Sequence, residues 1–77
     1  MTVYEFMDKL ASKLRESGLH AEATGWTVIV QGRASTASRT FTRRGRAYVY
    51  FLGRSFPLRT GGMGVEKAAK QLLSAGG

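Results

Sequence analysis

Hydrophobic positions near the start of the chain recur with the period of a helix. Val3, Met7, Leu10 and Leu14 fall four, three and four residues apart, and Lys9, Lys13 and Glu16 fall on the opposite side. Thr2 precedes the stripe and Glu5 stands three residues after Thr2, the spacing of a capping box, with Met1 and Phe6 placed as a hydrophobic staple. Gly18 suits a helix stop, and Leu19 supplies the apolar contact that follows a glycine cap. The pattern predicts a helix over about residues 3–17.

The period then shortens to that of strands. Trp26–Gln31 is β-branched and aromatic, with Gly25 and Gly32 punctuating its ends. Residues 33–37 are small and polar and read as a loop. Arg39–Arg43 alternates charge with Thr and Phe and is a candidate strand, followed by a turn at Arg44-Gly45. Arg46–Leu52 is the strongest strand, with Ala47, Val49 and Phe51 on one side and Tyr48 and Tyr50 on the other. After a turn at Gly53-Arg54, Ser55–Arg59 reads as a short strand, confined to a sheet edge because Pro57 has no donor. Thr60–Gly64 reads as a flexible loop. Val65, Ala68, Ala69, Leu72 and Leu73 then form a second helical stripe, ended by Gly76 and Gly77. The expected architecture is one α+β domain over residues 1–77: helix, a three- or four-stranded antiparallel sheet, helix. Both helices cover one sheet face. Trp26, Val28, Val30, Val49 and Phe51 are expected to meet Phe6, Leu10, Leu14, Val65, Ala69 and Leu72 in the core.

Charge adds the first functional indication. Twelve Lys and Arg oppose five Asp and Glu, a net +7 over 77 residues. No acid lies between Glu22 and Glu66, a stretch that holds Arg33, Arg39, Arg43, Arg44, Arg46, Arg54 and Arg59 and no lysine. A one-signed segment raises the local potential and attracts phosphates, and the planar arginine fork suits them bidentately. The expected partner is therefore a polyanion, with nucleic acid first among them. Arginine used only for solubility is the competing explanation.

Catalytic chemistry has little to draw on. There is no cysteine, and His20 is the single histidine, so a zinc site lacks ligands. The serines have no histidine placed to activate them. No enzyme activity, cofactor, metal or small-molecule substrate is expected. No apolar run is long enough for a membrane span, and the N-terminus lacks the layout of a signal peptide, so a cytoplasmic setting is expected.

Lys67 and Lys70 open the second helix, where lysine disfavours the dipole unless an anion sits nearby; they equally suit the polar face of an amphipathic helix. The preceding Gly61, Gly62 and Gly64 would let a backbone approach a phosphate. Tyr50-Phe-Leu-Gly-Arg-Ser-Phe56, Gly61-Gly-Met-Gly64 and Lys67-Ala-Ala-Lys-Gln-Leu-Leu73 together resemble the C-terminal half of the double-stranded RNA-binding domain, over residues 48–75. The resemblance implies the helix–strands–helix fold and a phosphate-binding role for Lys67 and Lys70. The family's Gly-Pro-x-His loop is replaced here by Arg33-Ala-Ser-Thr-Ala-Ser-Arg39. The segment Arg46–Leu73 is also similar to three-stranded-sheet DNA readers, a mode that would use Arg39, Arg43, Tyr48 and Tyr50. Ile29, Tyr48 and Tyr50 are expected together on the open sheet face, where they suit unpaired bases, a homodimer or a protein partner. The alternative function is accordingly a small phage-type inhibitor or interaction protein that binds a host protein through this face.

Overall fold

The computed structural model describes residues 1–59 and 62–75. Its elements are α1 (Val3–Glu16), β1 (Ala21–Thr24), β2 (Thr27–Val30), β3 (Arg33–Thr36), β4 (Arg39–Arg43), β5 (Arg46–Phe51), β6 (Arg54–Pro57) and α2 (Met63–Ala75). The α+β class and the helix–strands–helix order hold. The strands number six, in two antiparallel meanders ordered β1-β2-β3 and β4-β5-β6.

Tight glycine hairpins join the strands, and one of them makes a strand of an expected loop. Gln31-Gly32, Arg44-Gly45 and Leu52-Gly53 each place both turn residues at positive φ, 52° and 80°, 51° and 76°, 56° and 75°. These are the angles of type I′ turns, whose twist matches that of the flanking strands. The Gln31-Gly32 turn folds Arg33–Thr36 back along β2, with Val30 opposite Arg33 and Thr27 opposite Thr36. Residues 33–36 are therefore a strand and not the expected loop. Ala21–Thr24 pairs on the other side of β2. Arg39–Arg43 forms a strand, and β6 lies at a sheet edge, as Pro57 requires. Met63 and Gly64, expected in a loop, belong to the first turn of α2. Thr60 and Gly61, and the expected helix end at Gly76 and Gly77, lie outside the described residues.

The first helix has the ends its sequence encodes. Thr2 Oγ1 accepts from the Glu5 amide at 3.2 Å. At the other end Gly18, with φ 90°, donates to Arg15 O at 3.0 Å, and Leu19 donates to Leu14 O at 3.1 Å. That pair of bonds is the Schellman arrangement, which satisfies carbonyls the helix leaves open.

α1 rests on β1 and β2 and runs beside α2, which packs on β6. Phe6, Met7, Leu10 and Leu14 are buried together with Val28, Val49, Phe51, Phe56, Val65, Ala68 and Ala69. Trp26, Val30 and Leu72 are only half-buried against this cluster. Phe6 reaches from α1 to the second sheet, its ring 6.5 Å from Phe51 and 6.2 Å from Phe56 between centroids. Gly64 allows α2 to approach β6: a Cβ there would collide with the Pro57 carbonyl and stand 3.3 Å from the Phe6 ring.

The two sheets meet at a single peptide. The Ala37 amide donates to Trp26 O at 2.9 Å and so extends the first sheet, while the Ser38 amide donates to Tyr50 O at 2.7 Å and begins the second. Ala37 itself is buried in the core.

Candidate nucleic-acid interface

Burial of Val49 and Phe51 beneath β5 turns Tyr48 and Tyr50 to the opposite face of the second sheet. The strand register completes that face in three rows. Arg39, Tyr50 and Ser55 lie side by side, then Phe41, Tyr48 and Pro57, then Arg43 and Arg46. The Phe41 and Tyr48 rings stack, with centroids 5.6 Å apart and planes 16° from parallel. Arg39 joins two rows, its Cζ 6.0 Å from the Phe41 centroid and 5.9 Å from that of Tyr50. Attraction between the guanidinium and the ring quadrupoles favours this placement and leaves the N–H groups available to an anion.

Beyond the aromatic row the β4–β5 hairpin stands clear of the core. Thr40, Thr42 and Ala47, on the face that carries Val49, are exposed, as are Arg43, Arg44, Gly45 and Arg46. Arg43 and Arg46 are directly opposed across the ladder. Like charges in that position repel, and among the described residues no carboxylate pairs with them. Among the described residues the one ion pair is Lys13 Nζ to Glu66 Oε1 at 3.7 Å, between the helices. The acids lie on α1 (Glu5, Asp8, Glu16), β1 (Glu22) and α2 (Glu66), whereas β4–β6 carries Arg39, Arg43, Arg44, Arg46 and Arg54 and no acid.

The structure thus gathers Arg39, Arg43, Arg46, Tyr48 and Tyr50 on one face, with Arg44 in the hairpin turn beside them. Other expected site residues lie elsewhere. Arg33 begins β3 in the first sheet, opposite Val30. Arg54 pairs with Phe51 and so falls on the core-side face, at the strand's start. Arg59 follows β6. Lys67 and Lys70 are exposed on α2, in the layer behind the second sheet. Ile29 was expected beside the tyrosines but sits in the first sheet, in a row with Glu22 and Ala34, because β2 and β5 belong to different sheets. Gly64 is buried against Pro57 and Phe6, so its missing side chain serves helix packing.

Phe41 is the site residue that the sequence reading passed over. The clue is present in the chain: a two-residue turn at Arg44-Gly45 pairs Arg43 with Arg46, and counting back by two puts Phe41 opposite Tyr48.

No protein-family model, curated protein sequence or solved structure matches the chain. Among the described residues no helix is long and apolar enough to cross a membrane, and no three His, Cys, Asp or Glu side chains gather to hold a metal ion.

Proposed function

We propose that this chain is a non-catalytic nucleic-acid-binding module that grips phosphates through arginines and meets its ligand with the outer face of β4–β6. The observation that carries the reading is the acid-free face on which Arg39, Arg43 and Arg46 surround Phe41, Tyr48 and Tyr50. Arginine supplies bidentate phosphate contacts, and aromatic rings supply apolar contact with bases. Arginines held together on one sheet with no carboxylate partner among the described residues cost folding stability, and a phosphate backbone removes that cost.

Fluorescence anisotropy with labelled oligonucleotides over a salt series tests the proposal. Affinity falls steeply with salt, and each arginine that neutralises a phosphate contributes about one unit to the log–log slope. Tyr48→Ala with Tyr50→Ala weakens binding more than Lys67→Ala with Lys70→Ala. The reverse order would move the site to α2 and favour the duplex-RNA mode implied by the family resemblance. Absence of binding to any strand or duplex at low salt would sink the nucleic-acid reading and leave a protein partner for the same face.

A further inference from the structure

Resting on that reading, we propose that the ligand is a single strand: one backbone phosphate sits between Arg43 and Arg46, and the neighbouring unpaired base stacks on Phe41. Arg43 and Arg46 are exposed, directly opposed and without a counter-charge among the described residues, so one phosphate accepts from both guanidinium groups at once. Arg44, in the turn between them, adds positive potential at the same tip.

The aromatic row is one step further along the same face, about 7 Å away, since alternate residues of a strand are two rises apart. A group held in the clamp therefore has its next neighbour over Phe41 and Tyr48. β4 is the edge of its sheet, so among the described residues no strand pairs with it on the side of Phe41 turned away from Tyr48. A base placed there extends the existing Phe41–Tyr48 stack to three members. Arg39 and Tyr50 continue the face and offer a cation and a second ring to the following nucleotide.

A duplex does not use this arrangement. Its bases are stacked on one another and present only edges in the grooves, while its phosphates lie outermost. An aromatic ring beside a phosphate clamp then meets backbone and not a base face. Unpaired bases expose the π-faces that such a ring requires.

The test compares three probes of equal length at low salt: oligothymidylate, the same strand with abasic residues, and a blunt DNA duplex. Oligothymidylate is expected to bind roughly tenfold or more tighter than the abasic strand, as stacking of one or two bases implies. Phe41→Ala lowers that preference severalfold, with Tyr48 and Tyr50 still in place, and leaves the salt slope unchanged. Phe41→Leu, which keeps an apolar partner for Tyr48, does the same with the fold intact by circular dichroism. Arg43→Ala with Arg46→Ala lowers the salt slope and keeps the preference for bases. Equal binding of the abasic strand or the duplex would overturn the single-strand inference while leaving nucleic-acid binding in place. Binding of none of the three would instead overturn the broader reading on which it rests.

Discussion

Arg46 faces Arg43 across the β4–β5 ladder, and the pair sets folding against binding. Relief of a like-charge cross-strand contact contributes about 0.2–1 kcal/mol. Arg46→Thr is therefore expected to raise the melting temperature by a few degrees for a domain of this size, while weakening oligonucleotide binding. Added salt should stabilise the parent protein more than the variant, because screening already removes part of the repulsion. A thermal melt at two salt concentrations, with a binding curve beside it, checks both halves; a variant that loses stability as well as affinity would show that Arg46 holds the hairpin together. Gly64 presents the opposite case, a position fixed by packing. Gly64→Ala is expected to cost about 1–3 kcal/mol in urea denaturation, since α2 must shift off the Pro57 carbonyl. At this scale the alternation from Ala47 to Phe51 was enough to place Tyr48 and Tyr50 outward. The packing role of Gly64 was not legible, because its neighbours come from β6 and α1.

The elements divide by how much of their stability they carry themselves. α1 and β5 were readable because their own patterns specify them: a capped stripe in one, strict alternation in the other. β1 and β3 were not. Ala21-Glu-Ala-Thr24 and Arg33-Ala-Ser-Thr36 have weak strand preference and are held by β2 between them, through the ladder and the Thr27–Thr36 hydroxyl contact at 2.7 Å. Val28 is the one fully buried side chain of β2. Val28→Ala should therefore loosen β1 and β3 together, with amide exchange accelerating across residues 21–36 before it does so in β4–β6. The turns give a second handle. Arg44 adopts φ 51°, a region asparagine tolerates better. Arg44→Asn is expected to stabilise the hairpin by about 0.5 kcal/mol and to weaken strand binding slightly, measured by chemical denaturation and anisotropy.

For the molecule as a whole, charge polarity was visible in the chain: the acid-free stretch between Glu22 and Glu66 contains all of β4–β6. Division into two sheets was not, because it turns on the Ala37–Ser38 peptide, and neither residue marks a change of sheet. With Ile29 in the first sheet, the expected patch of Ile29, Tyr48 and Tyr50 gives way to one built on Phe41, Tyr48 and Tyr50. Replacement of all three rings by serine should leave the net +7 and the weak, salt-sensitive attraction to phosphates, and remove any distinction between strands that carry bases and strands that do not. Retention of that distinction would place base contact on another face.

The reach of Phe6 has a consequence for how the protein is made. Phe6 leaves the ribosome well before its ring partners Phe51 and Phe56, and before α2, the helix that runs beside α1. A growing chain that has exposed only α1 and the first meander presents Phe6, Met7 and Leu10 to solvent, with the cover from β5, β6 and α2 still unmade. Contacts between elements so far apart in the chain delay collapse until α2 has been made, and the apolar face of α1 is open to proteases and to chaperones during that interval.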